Sequence, residues 1–149
     1  MSNVRINVVG IQLVKERTMN YAYGRKIGSP HDAARLLADY LDEQDREHFV
    51  VLISDTKHQV QAIHTVAVGS LNACIVHPRE VFKPAVLNNA AAIVVCHNHP
   101  SGDPAPSQED IDVTKRLVEA GKILGIEVLD HIILGANNQY VSLREKGHM

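Results

Sequence analysis

Apolar and polar positions along the chain fall into two kinds of pattern. Some stretches repeat apolar residues at helical spacing, and others run apolar without interruption or alternate. Ala33, Leu36, Leu37, Tyr40 and Leu41 form one stripe of a helix. Ser29-Pro30-His31-Asp32 supplies its start, with Ser29 as N-cap, Pro30 at the first helical position and Asp32 near the positive end. The pattern fades near Gln44. His48 to Ser54 reads as a buried strand, Asp55 to His58 as a turn, and Gln59 to Gly69 as a hairpin partner. Pro78 to Asn88 reads as a short helix and Ala90 to His97 as a strongly apolar strand. Three prolines and a glycine between Asn98 and Pro106 demand a loop. Ser107 then opens a long helix to about Leu124, closed by Gly125. Ile126 to Leu134 reads as a strand, Gly135 to Asn138 as a turn, and Tyr140 to Leu143 as a last short strand. Val4 to Lys15 alternates partially and reads as an N-terminal strand or ribbon. Tyr21 to Gly28 reads as a linker. The expected fold is α/β (α+β), a mixed β-sheet flanked by helices.

Composition narrows this further. The chain has 149 residues, 45% of them hydrophobic, which suits one domain with a real core. A formal net charge of -2 gives the whole chain no electrostatic match to nucleic acid or acidic membranes. The longest apolar run, Ala90 to Cys96, is far below the ~20 residues of a membrane helix. The N-terminus lacks the apolar core and cleavage site of a signal peptide. A cytoplasmic, non-membrane protein is expected. Cys74 and Cys96 form no close-spaced pair and read as reduced core residues.

The segment from Cys96 to Asp110 carries the chemistry. In extended chain, residues i and i+2 share a face, so His97 and His99 project two imidazoles to one side while Cys96 and Asn98 point away. The Pro/Gly loop turns the chain back, and Asp110 in the first turn of the next helix can reach the same point. Two histidines and a carboxylate leave a tetrahedral Zn²⁺ one position for water, as catalytic zinc sites do. His-x-His alone is a weak metal signal, however, and Ser107-Gln108-Glu109-Asp110 is also an ordinary helix start. The same three ligands also match the facial triad of non-haem iron oxygenases.

The stretch HNHPSGDPAPSQED resembles the JAMM (MPN+) metalloprotease motif in both histidines, Pro100, Ser107 and Asp110. The longer text VHPREVFKPAVLNNAAAIVVCHNHPSGDPAPSQED, with the later LDHIILG, resembles the RadC family in particular, over about Ile27 to Met149. The resemblance implies a JAMM/MPN, cytidine-deaminase-like domain over residues 27–149, preceded by a strand or linker extension over 1–26. It implies zinc on His97, His99 and Asp110, and Ser107 helping to stabilise a tetrahedral intermediate. It also implies an upstream glutamate as general base. Glu47 is the first candidate, ahead of Glu80, whose ordinary role is a helix N-terminal acid, and of Glu43. The implied reaction is hydrolysis of a peptide or isopeptide-like amide in a peptide or protein substrate. The alternative is a DNA-repair-associated accessory protein with a structural metal. Longer RadC members carry a helical region ahead of this part, and the segment before Ile27 does not resemble it, so DNA binding stays the alternative. His131, beside Asp130, is expected to be a strand residue packed near the site, with an outer partner of the ligands as the other reading. His64 and His77 are expected to be structural or exposed, and Asn98 and Ser101 to shape the loop or touch substrate.

Overall fold

Five strands and three helices emerge in the computed structural model, which describes residues 1–42, 45–69 and 76–149. In chain order they are α1 (Pro30–Leu41), β1 (His48–Ser54), β2 (Val60–Val68), α2 (Pro78–Leu87), β3 (Ala92–Asn98), α3 (Gln108–Leu124), β4 (Glu127–Leu134) and β5 (Tyr140–Ser142). The strands form one sheet in the order β2-β1-β3-β4-β5. Among the described residues only the β3–β4 pair is parallel, and α3 supplies the crossover that a parallel pair requires. The expected mixed sheet flanked by helices is therefore observed.

The helices sit on both faces of the sheet. Ala33, Leu36, Leu37 and Leu41 of α1 pack on Val50, Leu52, Val94 and Cys96. Val81, Phe82 and Ala85 of α2 and Val113 and Leu117 of α3 pack on Phe49, Val51, Ile53, Ile93 and Val95. The alternating side chains of β1 and β3 thus feed two opposite layers. This is why both strands read as unbroken apolar runs. Cys96 belongs to the α1 layer, where burial pushes its thiol pKa up. Cys74 and Glu43 lie outside the described residues.

Local signals decided the helix ends. Ser29 caps α1 through a hydrogen bond from the Asp32 N–H, and Pro30 opens the helix. Gly125 ends α3 in the left-handed region, at φ 72°. His77 is the N-cap of α2, its Nδ1 accepting the Arg79 N–H at 3.1 Å. His64 is exposed. The N-terminal expectation needs correction: Val4 to Lys15 forms no strand. Val4, Ile6, Val8, Val9 and Ile11 are all exposed. A strand needs a neighbour for its backbone groups, and among the described residues none lies beside this segment. The first pairing is the bridge of Lys26 with Gln59.

One irregularity in β4 matters for the site. Ile93 pairs with Val128, but Val94 pairs with Asp130, so Leu129 is an extra residue. Such a bulge reverses the facing of everything after it. Val128 faces the α3 layer, whereas Ile132 and Leu134 face the α1 layer. His131 is left opposite Val95, on the α3 side.

Candidate metal centre

Three side chains meet where β3 ends and α3 begins. His97 is the last fully buried residue of β3, and His99 follows it on the same side. Asp110 sits in the first turn of α3 and is also buried. One ligand atom from each lies within 4.8 Å of the others, so the group could hold a metal ion. His97 Nε2 is 3.0 Å from His99 Nε2 and 3.3 Å from Asp110 Oδ1, and His99 Nε2 is 3.4 Å from Asp110 Oδ2. A tetrahedron with metal–ligand bonds of about 2.0–2.1 Å has edges of about 3.3 Å. The two histidine nitrogens, and each of them with one Asp110 oxygen, are therefore spaced about as the ligands of a small divalent ion are.

The outer nitrogens fit as well. His99 Nδ1 lies 2.8 Å from the Asp103 carbonyl oxygen, which can only accept, so Nδ1 carries the proton. The Nε2 lone pair of a neutral His99 then points inward. His97 Nδ1 lies 2.8 Å from Nε2 of His131. Phe49 walls the two buried rings. It stacks on His97 with centroids 6.0 Å apart, and meets His131 edge-on at 5.5 Å. The contact with His131 goes beyond the packing role expected from sequence. It fits the other reading, of an outer partner to the ligands, and the register of β4, with its bulge, is what places His131 there.

Electrostatics tie the three groups together. Burial alone would push the Asp110 carboxyl up, but the neighbouring His97 and His99 rings and the hydrogen bond from the Ser107 N–H hold it well below the usual range. His99 is raised above its ordinary value, first by its hydrogen bond with Asp110, against the opposing effect of burial. The charge of Glu47 adds to that rise. His131 is pushed well below 6.5, first by burial and then by the neighbouring His97.

Ser107 and Asp110 form a reciprocal capping box. Ser107 Oγ accepts the Asp110 N–H at 3.1 Å, and Asp110 Oδ2 accepts the Ser107 N–H at 2.8 Å. The helix-start reading and a place at the site are thus met by the same two residues. The box uses the Ser107 oxygen as acceptor, and its hydroxyl hydrogen remains available to a further partner at this exposed position.

Glu47 immediately precedes β1 and is half-buried. It stands two residues before Phe49, the cross-strand partner of His97, and so approaches the site from the His99 side. Its backbone is held on three sides. The Glu47 carbonyl accepts the Gly69 N–H at 2.8 Å. Asn98 Nδ2 donates to the Arg46 carbonyl at 2.8 Å, and Asn98 Oδ1 accepts the His48 N–H at 2.7 Å. Asn98 therefore clamps both neighbours of Glu47 to the end of β3. Glu80 lies elsewhere, in the first turn of α2, paired with Lys83 at 2.9 Å. Ser101 is exposed in the loop.

The loop itself rests on Gly135. A Cβ at that position would stand 2.4 Å from the Gly102 carbonyl oxygen and 2.8 Å from Pro104 Cδ. Those residues flank Asp103, the acceptor for His99. Gly135→Ala is expected to cost about 1–3 kcal/mol of stability through overpacking and to weaken metal uptake by displacing Asp103. Urea unfolding and a zinc titration of the same preparation check both halves.

Comparison with known proteins agrees with this geometry. Residues 27–148 match the family model described as RadC-like JAB domain. A UPF0758 protein of Bacillus cereus (strain AH187) is 50% identical over 157 residues, covering 98% of this chain and 69% of that protein. UPF0758 proteins of Bacillus anthracis (strain A0248) and Bacillus thuringiensis subsp. konkukian (strain 97-27) match with the same identity and coverage. With the fold, the His-x-His strand end and the family match in agreement, the chain belongs to the RadC family and carries its RadC-like JAB domain.

Proposed function

We propose that this chain is a zinc-dependent hydrolase of peptide or isopeptide-like amide bonds. The observation that carries the reading is the convergence of two imidazole Nε2 atoms and a carboxylate within 4.8 Å, at the mouth of a loop. Three protein donors are the set that leaves a zinc position open to substrate or water. Bound there, zinc would polarise a carbonyl and lower the pKa of water from about 15.7 toward about 7.

The chain's own residues supply the rest. Glu47, on the His99 side of the donors, accepts a proton from the attacking water and passes it to the leaving amine. Ser107 donates its free hydroxyl hydrogen to the oxyanion that develops on the substrate carbonyl. The buried His97 and Asp110 hold their geometry through β3 and the capping box, so little reorganisation accompanies reaction. No helix among the described residues is long and apolar enough to cross a membrane, and a peptide or protein substrate is the partner this reading requires.

The test is metal analysis of the purified protein, followed by incubation of zinc-loaded and chelated samples with pools of peptides and ε-amino-linked isopeptides. One zinc per chain and chelator-sensitive cleavage are expected. A protein that takes up no zinc, or that cleaves equally well after chelation, overturns the reading.

A further inference from the structure

We infer that His131 and Thr114 are positioning residues that fix His97 in its Nδ1–H tautomer and so aim its Nε2 lone pair at the metal position. The inference rests on the metal-binding reading above and concerns residues outside the donor set.

The argument follows the hydrogens. Thr114, buried in α3, places Oγ1 2.6 Å from the Asp110 carbonyl oxygen and 2.6 Å from His131 Nδ1. The carbonyl can only accept, so the single hydroxyl hydrogen of Thr114 goes there. Oγ1 must then be the acceptor toward His131, and His131 Nδ1 carries a proton. His131 is fully buried, and no carboxylate touches its ring nitrogens, whose contacts are Thr114 and His97. A second proton would create a buried cation with no carboxylate in contact, which is costly. Nε2 of His131 is therefore a bare acceptor, and it receives the proton of His97 Nδ1 at 2.8 Å. His97 Nε2 is left as a lone pair facing His99 and Asp110.

The chain of contacts closes on itself. It runs from the Asp110 carbonyl through Thr114 and His131 to His97, whose Nε2 returns to the Asp110 carboxylate. Two of the three donor residues are thus tied by one buried wire, and the helical turn from Asp110 to Thr114 sets its length. Metal-bound histidines almost always donate their other ring N–H to an outer acceptor that fixes the tautomer. His99 uses a backbone carbonyl for this, at Asp103. His97 uses a neutral imidazole, whose own tautomer depends on a threonine hydroxyl. The arrangement makes Thr114, with no atom at the metal position, a determinant of the site.

Four variants and one spectrum test this. In Thr114→Val the hydroxyl is lost at nearly constant shape, and in Thr114→Ser it is kept. In His131→Phe the acceptor is lost, and in His131→Gln an amide oxygen can replace it. Zinc affinity is read by competition with a chromophoric chelator. Losses of about 10–100-fold are expected for Thr114→Val and His131→Phe, the usual cost of removing an outer partner. Thr114→Ser and His131→Gln should stay much closer to the parent. Long-range ¹H–¹⁵N spectra of the metal-free parent at mildly basic pH should show His97 protonated at Nδ1 alone, and Thr114→Val should show mixed tautomers. Should His131→Phe fail to fold, Thr114→Val and the parent spectrum still decide. Protonation of His97 at Nε2 in the parent overturns the inference, as does parental zinc affinity in folded Thr114→Val. A parent that binds no zinc refutes the metal reading instead, and the tautomer spectrum then judges the wire by itself.

Discussion

Replacing Glu47 with glutamine is expected to slow amide hydrolysis by about 10²–10⁴-fold, the usual contribution of a positioned acid–base group, while leaving zinc content intact. The side chain keeps its size and a carbonyl oxygen but can no longer take up a proton. Glu47 is not one of the three donors, and what the substitution removes near them is the charge that adds to the rise of His99. The Asn98 clamp holds the neighbouring backbone groups and is indifferent to the Glu47 side chain. The variant should therefore fold and bind zinc like the parent. Initial rates on a cleaved peptide or isopeptide, beside metal analysis, make the comparison. A variant that retains full activity would remove Glu47 from the mechanism, and one that loses zinc would make it a structural residue.

Asp110→Asn should have the opposite signature, with zinc lost first. Asparagine keeps an oxygen for the Ser107 N–H, so the helix start survives. It removes the only carboxylate of the donor set, and the loss in zinc affinity should exceed the roughly 10–100-fold that an outer partner costs. The pH response should change in step. In the metal-free parent, His99 is raised by Asp110. A raised folded value means that the proton stabilises the metal-free fold below the unfolded pKa of about 6.5. That contribution is lost as pH rises through the raised value. Zinc needs the same Nε2 without its proton. Its affinity in the parent should therefore fall as pH drops through the raised His99 value. Asp110 contributes with the other sign: its depressed pKa stabilises the fold above about 3.9 and is lost on acidification through the folded value. In Asp110→Asn the midpoint for His99 should move down toward the ordinary range. Zinc competition from pH 5.5 to pH 8.5, together with the His99 titration in metal-free protein, checks both shifts.

Much of this was legible in the chain because the deciding signals are local. Ser29-Pro30, Ser107 and Gly125 announce helix ends through groups one to four residues away. His97 and His99 share a face because a strand has period two, and Asp110 follows from the helix that Ser107 starts. What depends on pairing was harder to read. Val4 to Lys15 has the composition of a strand, but composition does not name a neighbour, and none stands beside it among the described residues. Glu47 comes toward the site by the register of β1 on β3, so only the family resemblance singled it out. The roles of Asn98 and His131 needed the folded sheet. Asn98 acts across 50 residues on the His48 N–H, and His131 acts across 34 on His97.

The extra residue in β4 makes the pairing of that strand a parameter of the site. Substituting Leu129 changes one side chain at the margin of the α1 layer. Pairing the strand regularly, without the bulge, would turn His131 toward the α1 layer, away from His97, with every amino acid of the site still present in the sequence. A one-residue gap at Leu129 would leave His131 opposite Val95, whereas a one-residue slip in pairing beyond it would not. A chain can carry every motif residue and still lose the wiring of its metal centre through such a slip.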